Sequence, residues 1–403
     1  MDITTHAVDG AAVMSLLPAR PRLLALGEPT HGEDVLLTVR NELFRQLVEQ
    51  EGYRTIALES DCVRALVVDD YVTSGTGTLD DALKRGFSHG FGASPANRQL
   101  VRWMRAYNDG RPSSDQVRFA GIDGPLEITA AESPRGALIA LHRYLASYLD
   151  ADLLGYDDQT LDRLLGTDEE WTNPAAMLDP SQSVGQTPEA AKLRQLADEL
   201  ASLLDTELPH LSAVSSPEDL ERARLYARTA VGLLRYHFWM ADASPRRMER
   251  LLRVRASMMA ANLRALAERG PALVFAHNAH LQRHKSTMRM GEVSLGWWSA
   301  GSIVGADLGE DYAVVVTAVG TIRHRGVEAP PPDTVEGLLY TLPEERCVAD
   351  ARRLATFLSG VRLAPRESPW HGYAPLDPAN LAAYDAIVFV KDVPEGPSWW
   401  PPA

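Results

Sequence analysis

Cysteine is scarce in this chain. Its 403 residues include two, Cys62 and Cys347, which make neither a disulfide framework nor a Cys-based metal motif. A reduced, cytoplasmic setting is the simplest expectation. Basic charge is in deficit: 40 Lys and Arg face 54 Asp and Glu, a net charge of −14, and the arginines are scattered among acids. Such a surface opposes a polyanion, so no nucleic-acid partner is expected. No apolar run is long enough to span a bilayer. The start, Met1-Asp2-Ile3-Thr4-Thr5-His6, lacks the basic and apolar regions of a secretory leader. Two chemical signatures are missing as well. The one Gly-x-Ser-x-Gly string, Gly86-Phe87-Ser88-His89-Gly90, lies in the glycine-rich stretch 74–95 with no strand signal before it and so makes no nucleophile elbow, and there is no His-Glu-x-x-His zinc helix.

What is there is a strand–turn–helix pattern. Leu23-Leu24-Ala25-Leu26 runs into Gly27-Glu28-Pro29-Thr30-His31-Gly32, and Val35, Leu36, Val39, Leu43, Phe44 and Leu47 follow at near-helical spacing. The pattern predicts a buried strand, a tight turn and an amphipathic helix, with Thr30 as N-cap. A Gly-rich turn with one Glu and one His is often a capped helix start and nothing more, so the rest of the chain has to decide. Arg54–Asp61 and Val117–Asp123 repeat the pattern, each a short β-type run ending in a carboxylate. Strands that alternate with helices imply a parallel sheet, and ligands bind beyond the carboxyl ends of such strands. Glu28, Glu59 and Asp123 would then line one edge together. Residues 74–95, rich in glycine, read as a long functional loop carrying His89.

From 133 to 269 the strand signals vanish. Helices are expected near 134–150, 188–205, 217–241 and 245–268, with 154–186 an irregular excursion. The strand pattern returns at Pro271–Ala276 and ends in His277-Asn278-Ala279-His280, whose imidazoles share a face if the turn is helical. Later strands are expected over 312–319 and 386–390, with helices near 334–340 and 350–357. The organisation that follows is an α/β core in two parts, 1–132 and 270–403, around a helical insertion or lid at 133–269. Trp297-Trp298 and Trp399-Trp400 are adjacent pairs; such aromatics line pockets or simply anchor.

Glu28, His31, Glu59, His277 and His280 form the candidate constellation. A His that deprotonates water, oriented by a carboxylate, gives general-base hydrolysis. The same residue types can ligate zinc or iron, although the spacings carry little local metal signal. Serine catalysis is disfavoured. Arg40 reaches the site only if His31 precedes the helix proper.

Taken in order, Leu26–Gly32, Arg40, Ile56–Asp61, Arg118–Asp123, Met258–Leu263 and Phe275–His280 resemble the erythromycin esterase family. The resemblance implies a mainly parallel α/β core with a helical insertion. It also implies a metal-independent, cofactor-free hydrolase that opens a macrolide lactone or related ester, the chemistry of antibiotic resistance. By the same resemblance His31 is the general base, Glu28 and Glu59 position base and water, and His277, His280 and Arg40 complete the site. Asp123, His89 and Asn278 are the expected substrate contacts. Relatives often carry a polar or amide residue soon after the acid matching Asp123, where this chain has Gly124-Pro125. Two alternatives stay open: a biosynthetic member using the site for another acyl transfer or cyclisation, and a metal- or haem-binding protein on the same scaffold.

Overall fold

The computed structural model describes residues 3–127, 130–368, 370, 372–396 and 399–400. Met1 and Asp2, which open the stretch read above for a leader, lie outside the described residues. The chain divides into two compact units, one of Met1–Ser60, Arg64–Gly121 and Leu263–Ala403, the other of Asp61–Val63 and Ile122–Asn262.

The first unit is built on an eight-stranded sheet. In chain order its strands are β1 (Thr5–His6), β2 (Leu23–Glu28), β3 (Thr55–Asp61), β4 (Arg118–Asp123), β5 (Ala272–His277), β6 (Tyr312–Thr321), β7 (Arg346–Asp350) and β8 (Ala386–Asp392). Their spatial order is β1-β7-β8-β6-β2-β5-β3-β4. β8, β6, β2, β5 and β3 run parallel to their neighbours in that order, while β7 is antiparallel to β8 and β1 to β7. All six residues of β2 and all ten of β6 are buried. A parallel strand covered on both faces reads as a near-continuous apolar run rather than an alternation, which is why Leu23–Leu26 and Val314–Val316 were legible as strands. Register sets the site: Glu28 on β2 lies opposite His277 on β5, and Leu58 on β3 opposite Phe275. Glu28, Glu59 and His277 thus leave the sheet at one edge.

The helix Asp34–Gln50 packs Leu36, Val39, Leu43, Phe44 and Leu47 into the core of this unit. Its N-cap is Glu33, not Thr30, and Glu33 makes no side-chain capping bond. The stretch 74–95 is not one long loop. It contains a helix, Leu79–Gly86, capped by Thr78 and with acids in its first turn and bases in its last, a charge order that suits the helix dipole. A hairpin of Lys285–Met290 and Val293–Trp298 and a helix at Ala300–Leu308 had no counterpart in the sequence reading.

The second unit is helical. Its long helices include Pro188–Thr206 and Pro217–Met240, and a helix at Arg247–Arg269 begins within it. Leu138, Leu141, Leu193, Leu200, Leu211 and Leu234 form part of its leucine-rich core. Among the described residues no helix is long and apolar enough to cross a membrane. Cys62 and Cys347 are buried free thiols.

Candidate active site

β2 ends at Glu28 and the next helix begins at Asp34, so His31 sits in the turn between them and precedes the helix proper. The turn folds back far enough for His31 Nδ1 to meet Glu28 Oε1 at 2.6 Å. A carboxylate accepts, so Nδ1–H donates and the Nε2 lone pair is left outward. That nitrogen stands 3.8 Å from Glu59 Oε1. Glu59 is itself held from the end of β5 and the turn after it: His280 Nε2 lies 3.1 Å from Oε1, and the backbone N–H of His277 donates to Oε2 at 2.8 Å. Glu28 and Glu59 are buried, while the His31 side chain keeps 20% of its exposure.

Electrostatics follow from this packing. Burial pushes the Glu28 carboxyl above the ordinary range, opposed by His31 and Arg40 and reinforced by Glu59. For His31, burial disfavours the cation, yet Glu59 and Glu28 outweigh it and raise its proton affinity. Glu28 Oε2 and His280 Nδ1 are buried without a hydrogen-bond partner among the described residues. Buried orphans of this kind ask for a water or a ligand.

Several expected site residues have other employment. His277 carries no free ring nitrogen: Nε2–H donates to the Pro29 carbonyl at 3.2 Å and Nδ1 accepts from the Ala279 N–H at 3.3 Å. Desolvation, with His31 nearby, lowers its pKa to about 3, so it stays neutral and acts as a strut. Asn278 is buried; its Nδ2 donates to the Thr317 carbonyl at 2.9 Å, fastening the turn to β6, and a side chain at Gly27 would run into it. Arg40 is buried in the helix. It donates to Asn41 Oδ1 and Asn97 Oδ1 and lies 4.9 Å from the Phe275 ring centroid, so its influence on Glu28 is that of a nearby charge. Asp123, the third of the strand-end acids, is held by an arginine. It belongs to the second unit, fully buried, with Arg255 Nη2 at 2.7 Å from Oδ2. His89 does come near: its ring is 5.8 Å from that of Phe91, and it has φ of 56°, the left-handed region.

Sequence reasoning missed the aromatic surround. Phe91 meets the His31 ring edge-on at 5.4 Å, and Trp400 lies 4.9 Å from it. Trp370 donates from Nε1 to Thr30 Oγ1 at 2.9 Å, which is the real task of Thr30. The Trp399-Trp400 pair was visible as a pair, but no periodicity ties residue 400 to residue 31. Glu33 takes Arg325 at 2.5 Å and His324 at 3.2 Å. Among the described residues no three His, Cys, Asp or Glu side chains are grouped to hold a metal ion.

A family model described as Erythromycin esterase matches residues 48–393, a span that begins after the Glu28–His31 turn. A curated relative, the erythromycin esterase type II of Escherichia coli, is 29% identical over 104 residues, which cover 26% of this chain and 24% of that one. The chain therefore matches about a quarter of that relative's length. Three solved structures resemble the fold. A Bacillus cereus structural-genomics protein superposes with a TM-score of 0.70 at 19% identity, covering 96% of this chain and 94% of its own. A succinoglycan biosynthesis protein gives 0.69 at 18%, covering 94% and 90%. A His-to-Asn variant of the erythromycin esterase EreC, in its open conformation, gives 0.66 at 18%, covering 92% and 90%. With the family model spanning most of the chain and the mainly parallel α/β core in place, the protein is a member of the erythromycin esterase family.

Proposed function

We propose that the protein hydrolyses an ester of a macrolide-like small molecule, opening the lactone with water activated by His31. The observation that carries this reading is the 2.6 Å contact of His31 Nδ1 with Glu28, which turns Nε2 toward Glu59 3.8 Å away. One water can donate to both groups across that spacing. Its oxygen attacks the acyl carbon while Nε2 takes the proton; the acyl C–O bond then breaks, and the proton returns to the departing alkoxide. Glu28 holds the tautomer and stabilises the imidazolium. Glu59, fixed by His280 and the His277 N–H, orients the water. Arg40 favours the ionised form of Glu28, and His89, near Phe91 and His31, is the expected substrate contact. No metal or cofactor is assigned a role in this mechanism.

The test is mass spectrometry of a macrolide panel incubated with the protein, with and without chelator, beside His31→Ala. The expected product is macrolide plus one water, insensitive to chelator and absent with the variant. Turnover that survives in His31→Ala would remove the base from its role. Chelator-sensitive turnover would move the same residues to a metal mechanism.

A further inference from the structure

Trp400 lies against the ring that does the proposed chemistry, and nothing in the motif pattern accounts for it. Its ring centroid is 4.9 Å from that of His31 at an interplanar angle of 42°. It stacks on Phe91 at 5.2 Å and 26°, and Trp399 buttresses it edge-on at 5.8 Å. The backbone beneath is shaped for this seat. Gly32 has φ of +90°, and a Cβ there would fall 2.6 Å from Trp400 Cβ and against the guanidinium of Arg325. An imidazole exchanges protons in its own plane. Rings packed against it, Trp400 tilted by 42° and Phe91 edge-on, can therefore fix that plane and still leave both nitrogens to their partners.

We propose that Trp400 is a positioning residue for His31, its tilted indole holding the imidazole plane and its π electrons favouring the protonated ring, while Nδ1 stays with Glu28 and Nε2 faces the reacting water. The attraction of a cation for an aromatic face acts within about 6 Å of the centroid. The other groups around His31 are the acids Glu28 and Glu59, the imidazoles His89 and His277, and Phe91; Arg325 sits beside the turn, paired with Glu33. Trp400 thus adds to the two acids in favouring the cation, and adds the rigidity that a carboxylate bond at one edge does not give.

The inference rests on the hydrolase reading for its catalytic meaning but not for its first test. The imidazole titration of His31 is followed by proton–nitrogen correlation spectra, its signal identified by loss in His31→Gln. Trp400→Leu keeps an apolar cover without a π face, and its His31 midpoint is expected to move to lower pH. Trp400→Phe restores a π face and is expected to stay near the wild type. With an ester substrate, Trp400→Leu should lower the plateau kcat by about tenfold through lost orientation and move the acid limb of the pH–rate profile to lower pH. A tryptophan that merely stabilised the fold would lower activity without moving that limb. An unmoved midpoint in Trp400→Leu overturns the proposal, even if hydrolysis is normal. A moved midpoint with no ester turned over supports the contact and overturns the hydrolase reading instead.

Discussion

At the scale of single residues, the proposed chemistry rests on the pair Glu28–His31, whose charge its partners set. Glu28→Gln keeps the shape but removes the charge that stabilises the imidazolium, and its amide can donate as well as accept, so the Nδ1–H tautomer is no longer selected. A loss of about 10²- to 10⁴-fold in kcat is expected, the range seen when general-base assistance is removed. The same change removes one of the two acids that raise His31's proton affinity, so the acid limb of the pH–rate profile should move to lower pH. Steady-state rates between pH 5 and 8 check both effects. An unchanged plateau would show that Glu28 does not orient the base. His277 and His280 are three residues apart yet have different tasks. His277 has both ring nitrogens engaged with backbone groups, whereas His280 presents Nε2 to Glu59.

At the scale of elements, the turn after β2 and the helix Pro95–Asn108 hold the site from two sides. Ser94 caps that helix by accepting from the Asn97 N–H, and its hydroxyl donates to Asp34 at 2.6 Å. Asn97 in turn accepts from Arg40 and donates to the Phe91 carbonyl. One cap therefore joins the start of the helix that follows His31 to the aromatic wall. Ser94→Ala is expected to cost about 1 kcal/mol, the usual worth of a serine cap, measured by urea unfolding. Gly32→Ala asks an L-residue to take φ of +90° with its Cβ against Trp400. A loss of about 1–3 kcal/mol, typical of such backbone strain, should appear in the same experiment. A variant as stable as the wild type would mean that the turn relaxes freely.

At the scale of the whole molecule, buried histidines make the fold sensitive to acid. His237 in the second unit is buried, donates to the Glu132 carbonyl at 2.9 Å, and burial lowers its pKa to about 4. The unfolded chain takes up that proton near pH 6.5 while the folded chain does not. Stability is therefore lost as pH falls from about 6.5 toward 4. His277, lowered to about 3, acts in the same direction. His31 and Glu28, both raised, act in the opposite one: their contributions are present at lower pH and fade as pH rises through their folded values. His237→Gln isolates one term, because an amide can keep the bond to Glu132. The wild type should lose about 2 kcal/mol more than this variant between pH 7 and pH 5; equal losses would show that His237 is protonated in the folded state.

The sequence alone made β2 to β6, β8 and most of the long helices legible. Their apolar patterns are local, and a strand buried on both faces advertises itself in four or five consecutive residues. It also determined the residues of the central cluster, because β2, β3 and β5 each end in their polar groups and a parallel sheet brings those ends to one edge. What each group does there was settled by packing between distant segments. That His277 is locked by Pro29 and Ala279, that Arg40 is held by Asn41 and Asn97, and that Asp123 belongs to Arg255 depends on partners up to 248 residues away in the chain. Trp400 lies on His31 for the same reason. Contacts between distant segments are chosen by packing and charge pairing in three dimensions, and they leave no period in the sequence to read.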